Sequence, residues 1–428
     1  MAGWTPLQLR TLAICFMLSM LDGADVLVVS FVAPVLTKAW GVSDAAFGIV
    51  FSSGLAGMTL GALFLAPYAD IIGRKAMILA STAVIASGML SSALCEQLST
   101  LVALRFWTGL GIGSMLASIT ALASEFAPER SRALSVTLVT AGYPAGATIA
   151  GLSASVIIPT YGWPGMFVLI GLGSAIMFPL VAIWLPESVQ YFLARQPHGA
   201  LERANRSLEA QRLPTYAKLP PKELASPKPP IGRLLKADLR RGTVMIWGAF
   251  FASFFTVYFL TSWVPRIAVQ AGYDLPTAIN GSAIFNVGAF LGLVLLGWFS
   301  VRMGLERLIA TFFLLAAAIM VAFGLFHKPV AFFYIGMLAM GFVIQGGFGG
   351  LYAIAAQFYP AAIKTTGVGW AIGVGRFGAI AGPALGGVAL QAQIGIFLCF
   401  ALFAIPMVLS AILTWQSSTG QKRGLTTV

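Results

Sequence analysis

Long apolar runs separated by short polar breaks dominate the chain. Most reach the roughly 20 residues that a helix needs to cross a bilayer. The pattern predicts twelve membrane-spanning helices, at residues 10–36, 45–67, 75–94, 99–124, 133–158, 164–185, 242–264, 278–300, 307–326, 330–356, 365–390 and 395–415. The predicted architecture is an all-α polytopic membrane protein with an N-terminal six-helix bundle (1–185), a cytoplasmic central loop (186–241) and a C-terminal six-helix bundle with a short cytoplasmic tail (242–428).

Composition excludes a water-soluble protein. The 428 residues are 58% hydrophobic and 9% charged, whereas soluble domains carry about 25% charge. The first apolar run is too long for a cleavable signal peptide and ends in no small-residue cleavage site. Cys15, Cys95 and Cys399 are too far apart in sequence to suggest a metal or redox pair, so neither a metal nor a cofactor is expected.

The net charge of +12 is a topology signal. With the amino terminus in the cytoplasm, 21 of the 26 Lys and Arg fall in cytoplasmic segments, eleven of them in the central loop. Only Lys38, Arg266 and Lys328 fall on the opposite side, while Arg105 and Arg376 lie inside helices. This asymmetry predicts that both termini are cytoplasmic. The expected location is a bacterial inner membrane. It also removes the main argument for a nucleic-acid partner.

Two acidic residues occur in the middle of the first helix. Asp22 lies roughly 18 Å along it, near mid-bilayer, and Asp25 follows three residues later on the same face. Carboxylates at this depth are costly and usually functional. We expect at least one to carry a proton, although a helix–helix hydrogen bond or a pair with a buried arginine is the structural alternative.

Two arginines lie inside helices. Arg376, at a depth similar to that of Asp22, is expected to anchor an anionic substrate through its guanidinium fork, or else to pair with Asp22 or Asp25. Arg105, early in helix four, could snorkel to the interface or help to move protons. Both are candidate substrate-site residues.

Less specific candidates for the substrate site are aromatic or polar residues deep in their helices. Aromatic rings commonly line ligand sites, but packing or a bond to a neighbouring helix is an equal or commoner role. These candidates are Tyr143, Phe254, Tyr258, Asn286, Gln345 and Tyr352.

Charged loops predict a cytoplasmic gate. The loop between helices two and three combines an acid, a glycine suited to a tight turn and two cations. A second group follows helix four. The candidate gating residues are Asp70, Gly73, Arg74, Lys75, Glu125, Arg130 and Arg132. Arg74 and Lys75 could be topology markers alone, but Asp70 is not explained in that way.

The halves repeat each other weakly, and the chain resembles the major facilitator superfamily over nearly its whole length. The resemblance rests on the twelve helices, the Asp70–Lys75 loop, Arg105 with Gly109 and Gly113, and Pro186-Glu187-Ser188 after helix six. The Asp-Gly-x-Asp of Asp22–Asp25 and the Gly-Arg-x-Gly of Gly375–Gly378 are similar to the aromatic acid:proton symporter family. Ala66 and Ile71 depart from the superfamily loop, which usually has glycine and arginine there.

This resemblance implies a major facilitator fold of two pseudo-symmetric bundles and proton-driven uptake of a small aromatic carboxylate, such as a hydroxybenzoate, by a monomer. It implies coupling roles for Asp22 and Asp25, and gating roles for Asp70 and Glu125. Which carboxylate is carried, the proton stoichiometry and the main proton carrier are not determined by the sequence. A proton-coupled exporter of organic acids or drugs and a transport-dead sensor are the alternatives. An enzyme is not expected, because no nucleophile–base pair is found among the helices.

Overall fold

The structure is a computed structural model that describes residues 4–221, 231–236, 239–326, 328–360 and 363–424. The described chain is built from α-helices with short 3₁₀ and π turns, which confirms the predicted all-α fold. The helices are α1 Pro6–Trp40, α2 Asp44–Leu60, α3 Ala69–Ile72, α4 Arg74–Ser92, α5 Leu98–Phe126, α6 Arg132–Trp184, α7 Val189–Arg195, α8 Ala200–Ala210, α9 Arg240–Gln270, α10 Leu275–Met303, α11 Leu305–Phe326, α12 Val330–Phe358, α13 Lys364–Gln391 and α14 Ile396–Gly424.

Eleven helical segments of the described chain are long and apolar enough to cross a membrane. The sequence predicts twelve, and α6 accounts for the difference. This helix of 53 residues contains one non-helical residue, Gly162, with φ 71° and ψ 178°. The break lies between the predicted helices 133–158 and 164–185, so α6 is two crossings joined at a glycine. Glycine permits this positive φ because it has no Cβ.

Local sequence determines where the first helices begin. At the start of α1, the backbone N–H of Thr5 donates to Gln8 Oε1 (3.0 Å) and that of Gln8 donates to Thr5 Oγ1 (3.3 Å). This reciprocal cap satisfies N–H groups that have no partner within the helix. Before α2, Ser43 Oγ accepts from the N–H of Ala46 (3.2 Å) in the same way.

Glycines allow helices to approach each other closely. An added Cβ at Gly23 of α1 would overlap the carbonyl of Tyr143 in α6, and one at Gly146 would overlap the carbonyl of Met20. Small residues at such contacts are typical of helix packing in lipid. The α1–α6 contact positions the segment of α1 that contains both acidic residues.

The same kind of contact recurs in the second half of the chain. In α13, Gly378 and Gly382 lie against the carbonyls of Phe251 and Phe255 in α9. The pair α2–α5 and its counterpart α10–α12 are also packed through glycines, at Gly57 and Gly113 in the first and Gly288, Gly292 and Gly341 in the second. Glycines therefore make the same kind of close helix contact in both pairs.

Gly146→Ala should strongly destabilise the fold, because the new methyl group has no room beside the Met20 carbonyl. We expect a loss of about 2 kcal/mol or more, measured as a lower unfolding temperature in detergent. Gly369→Ala is the matched control, because nothing lies within 4 Å of a Cβ added there. In a helix, that change should be neutral or stabilising by up to about 1 kcal/mol. Equal unfolding temperatures for the two variants would contradict the close α1–α6 contact.

Packing groups the residues into two units. Unit 1 contains Met1–Val26, Ala56–Ala147 and Pro164–Pro227, and unit 2 contains Leu27–Leu55, Thr148–Trp163 and Lys228–Val428. The boundary therefore cuts α1, α2 and α6. Parts of these helices pack with the helices from α9 onward.

Apolar side chains remain exposed along the helices of each unit. In α6, Leu172, Ile176 and Ile183 are 50%, 61% and 72% exposed. In α14, Ile405 is 60% exposed. Extended apolar surfaces of this kind are suited to contact with lipid.

The segment predicted as the central loop contains two short helices, α7 and α8. Val189 and Phe192 of α7 share a small hydrophobic core with Ala200, Ala204 and Leu208 of α8. The spacing of four residues between the α8 positions places them on one face of the helix. This part of the loop is a folded element of unit 1.

Candidate functional site

An ion pair is buried in unit 1. Arg105 Nη1 donates to Asp25 Oδ1 at 3.0 Å, and the two side chains are only 4% and 1% exposed. Asp25 Oδ2 and Arg105 Nε are also buried, and neither has a hydrogen-bond partner in the described part of the chain. The pair is therefore incompletely satisfied in an apolar setting, where an unpaired charge is costly.

Arg105 is buried among the helices of unit 1. Its Nη2 contacts Met89 Sδ (2.8 Å) and Ser92 Oγ (3.3 Å) of α4, and its guanidinium carbon lies 5.3 Å from the centre of the Phe167 ring. Of the two alternatives for Arg105, snorkelling does not fit this geometry, because these contacts hold the buried side chain among the helices of unit 1. The sequence predicts where Arg105 lies along its helix, but it does not predict Asp25 as the partner.

Asp22 is also buried, at 2% exposure. It lies three residues before Asp25 in α1, so the two carboxylates share one face of the helix. Their segment is fixed by the glycine contact between Gly23 and Tyr143. Tyr143 itself is half-buried.

A second cation lies within unit 2. Arg376 of α13 is half-buried, and its Nε and Nη1 atoms are buried with no hydrogen-bond partner among the described residues. Its guanidinium carbon is 5.9 Å from the centre of the Phe254 ring. This contact is within cation–π range. Two guanidinium nitrogens without a hydrogen-bond partner in the described chain, beside an aromatic ring, are suited to an aromatic anion.

Aromatic side chains from α9 and α12 surround this ring. Phe254 stacks on Tyr258 with a centroid distance of 5.8 Å and meets the edge of Phe348 at 4.7 Å. Tyr352 lies 5.5 Å from Phe348 and 5.3 Å from Phe250. We call these five rings with Arg376 the aromatic–arginine cluster. Four of the sequence candidates for a substrate site meet in it: Arg376, Phe254, Tyr258 and Tyr352.

Phe250 and Phe348 were not among the candidates. Phe348 precedes Tyr352 by four residues, and this helical spacing could have indicated it. Gln345 is half-buried three residues before Phe348, on the same face of α12. Asn286 is 2% exposed, and its amide nitrogen donates to the Ser282 carbonyl of its own helix (2.9 Å).

A polar network connects the loop after α3 with the segment after α6. Glu125 accepts from Arg74 Nη1, from Ser188 Oγ (2.7 Å) and from the N–H of Gln190 (2.9 Å). Lys75 Nζ donates to the Ala182 carbonyl (2.7 Å). Three predicted gating residues, Arg74, Lys75 and Glu125, therefore contribute to one network in unit 1.

Glu187 is at the centre of this network. Sequence reasoning does not identify it as a site residue. Its Oε1 accepts from the backbone N–H groups of Arg74 (2.9 Å) and Lys75 (3.1 Å), which lie at the start of α4. A carboxylate is favourable at a helix amino terminus. Burial raises the pKa of Glu187, while its backbone hydrogen bonds act to lower it.

Gly73 is required where Glu187 meets α4. Its φ of 105° favours glycine, and an added Cβ would overlap the Glu187 carboxylate. The side chain of Asp70 is exposed, and its carbonyl accepts from Arg195 Nε (2.8 Å). Arg132 is exposed, and the side chain of Arg130 lies outside the described part of the structure.

Comparison with known proteins identifies the family to which the chain is similar. A profile of the Major Facilitator Superfamily matches residues 12–346. The gallate transporter of Pseudomonas putida is 32% identical over 406 residues, which cover 95% of this chain and 90% of the relative. The 4-hydroxybenzoate transporter PcaK of Acinetobacter baylyi is 32% identical over 413 residues, with the same coverage of 95% and 90%.

The fold is also similar to solved structures. The inward open conformation of the xylose transporter XylE from E. coli superimposes with a TM-score of 0.75 at 15% sequence identity, covering 96% of each chain. At this identity, the likeness concerns the fold.

Proposed function

Because this chain belongs to the Major Facilitator Superfamily, we propose that it imports a small aromatic carboxylate, such as a hydroxybenzoate, together with protons. It is a transporter and not an enzyme. The transport cycle is alternating access, in which two six-helix halves rock about a site near mid-membrane. The observation that carries the proposal is the guanidinium of Arg376 beside stacked aromatic rings, with Nε and Nη1 buried and without a hydrogen-bond partner among the described residues.

The aromatic–arginine cluster is the substrate site. Arg376 binds the substrate carboxylate through its Nε and Nη1 N–H groups, since a guanidinium fork matches a carboxylate. The rings of Phe254, Phe348 and Tyr352 pack on the aromatic ring of the substrate. Relatives named as gallate, 4-hydroxybenzoate and benzoate transporters support this class of substrate.

The Asp25–Arg105 pair is the proton-coupling element. A proton that binds Asp25 removes the charge paired with Arg105 and weakens their hydrogen bond, which gives unit 1 two alternative arrangements. Asp22, one turn earlier, is the second candidate carrier. This assignment moves Arg105 from the substrate site, where the sequence placed it, to coupling.

The central loop and both termini are cytoplasmic, and the membrane is a bacterial inner membrane. The distribution of 21 of 26 cations on that side supports this orientation. The network of Glu125, Glu187 and Arg74 then lies at the cytoplasmic ends of its helices and acts in gating. A monomer contains both halves and is sufficient for transport.

The experiment is uptake of labelled benzoate and 4-hydroxybenzoate into proteoliposomes. An inward proton gradient should drive accumulation, and a protonophore should abolish it. A gradient of the opposite sign should drive accumulation in an exporter, and a sensor should show no flux with either gradient. Either of these results would contradict the proposal.

A further inference from the structure

Unit 2 contains an ion pair between Arg266 and a carboxylate of the protein itself, that of Asp44. Arg266 Nε donates to Asp44 Oδ1 at 2.8 Å, and its Nη2 lies 3.4 Å from Oδ2. Gln270 Nε2 donates to Oδ2 at 3.1 Å. Asp44 begins α2, whereas Arg266 and Gln270 lie one turn apart in α9. We call Arg266 and Gln270 the α9 fork.

The helices around the α9 fork are in close contact. Gly387 of α13 has its Cα so near α2 that an added Cβ would lie 2.5 Å from the Asp44 carbonyl oxygen. Ser52 Oγ donates to the Ile380 carbonyl (2.8 Å). Phe51 meets the edge of Trp263 at 5.1 Å. In this conformation, the start of α2 packs against the end of α9.

The α9 fork has the chemistry of a carboxylate-binding site. A guanidinium and an amide donate to both oxygens of one carboxylate, and Asp44 occupies the position that a free carboxylate would take. Arg266 and Gln270 share a helix, whereas Asp44 belongs to α2. A movement of α2 away from α9 would therefore leave the α9 fork intact and would remove Asp44 from it.

We propose that the α9 fork is an outer recruitment site for the substrate carboxylate, occupied by Asp44 in this structure and by the substrate after α2 moves away. This inference rests on the proposed function, because it takes the substrate to be a carboxylate that arrives from the side opposite the central loop. Arg266 is eight residues beyond Tyr258 in α9, so the recruitment site lies about 12 Å along the helix from the aromatic–arginine cluster.

Two variants that break the same ion pair from opposite ends separate recruitment from simple closure. Arg266→Gln removes the binding group, so the KM for uptake should rise about tenfold or more. Asp44→Asn removes the competing occupant and leaves the α9 fork, so the KM should be equal to or below that of the wild type. A latch without a binding role would give KM changes in the same direction in both variants, which would overturn the proposal.

The charge-swapped double variant, Asp44→Arg with Arg266→Asp, is a second test. It should recover an unfolding temperature close to that of the wild type, because opposite charges again meet, but its KM should remain raised. Recovery of the wild-type KM would overturn the proposal. If the swap does not fold, the comparison of the single variants still decides the question.

Lys38→Gln is the matched control, because Lys38 is an exposed cation on the same side. Its KM should stay within about twofold of the wild type. An equal rise in KM for Lys38→Gln and Arg266→Gln would indicate only a general loss of positive charge and would overturn the proposal. Wild-type uptake of benzoate is measured first, so a failure of the proposed function is recognised separately.

Discussion

Arg376→Gln is expected to raise the KM for benzoate uptake about a hundredfold or to abolish measurable uptake. The change removes the charged N–H groups that lie beside Phe254 without a hydrogen-bond partner in the described chain. Losing one partner of a buried charged hydrogen bond costs about 2–5 kcal/mol. Arg376→Lys should recover only part of the affinity, because a lysine cannot form the guanidinium fork. Uptake kinetics in proteoliposomes measure the effect.

A neutral analogue makes this test specific to the carboxylate. The wild type should bind benzoate much more tightly than benzamide, and Arg376→Gln should lose most of that difference. Arg307→Gln is the matched control, because Arg307 is an exposed arginine in α11 of the same half. If Arg376→Gln folds and still discriminates benzoate from benzamide, Arg376 does not bind the carboxylate.

Asp25→Asn is expected to abolish concentrative uptake while retaining substrate exchange. A gradient of one pH unit can support about tenfold accumulation when one proton is coupled to each substrate. Asparagine cannot bind and release this proton, so the inside-to-outside ratio should fall to about one. Exchange of labelled for unlabelled benzoate does not require the proton cycle and should persist. Both measurements use the same proteoliposomes.

Loss of the Asp25 charge leaves Arg105 buried, and an unpaired buried charge costs about 3–5 kcal/mol. The double variant Asp25→Asn with Arg105→Gln removes this cost and tests coupling in a better-folded protein. Asp22→Asn is the comparison one turn earlier in α1, and we expect a smaller loss of accumulation. Accumulation driven by a pH gradient in Asp25→Asn would show that the proton is carried elsewhere.

The sequence predicted the helices well because the bilayer requires long apolar runs. The first predicted helix, 10–36, lies within α1, Pro6–Trp40, and differs mainly by the capped first turn. The pair predicted as 133–158 and 164–185 is continuous except at Gly162. The sequence does not predict the helices α7 and α8, because their few apolar positions form only a short pattern within a basic, proline-rich segment.

The sequence identified the chemical groups but not all of their partners. Helical spacing gives the depth and face of Asp25 and Arg376, but not which neighbouring helix that face meets. The sequence alone therefore leaves two alternative roles for Arg105, and its contact with Asp25 is visible only in the structure. Glu187 and Asp44 were missed for the same reason, since their partners are 112 or more residues away in sequence.

The glycines at helix contacts restrict which amino-acid substitutions this protein can accept. At Gly23, Gly146, Gly378 and Gly382, a carbonyl of the neighbouring helix occupies the space of a Cβ. Every missense change from a glycine codon adds that carbon, so no single amino-acid replacement is conservative there. The surrounding leucines, isoleucines and valines that face lipid can exchange with one another at little cost. Most positions of each membrane span can therefore accept substitutions, whereas these few glycines cannot. They keep the distances between helices constant while the rest of the sequence changes.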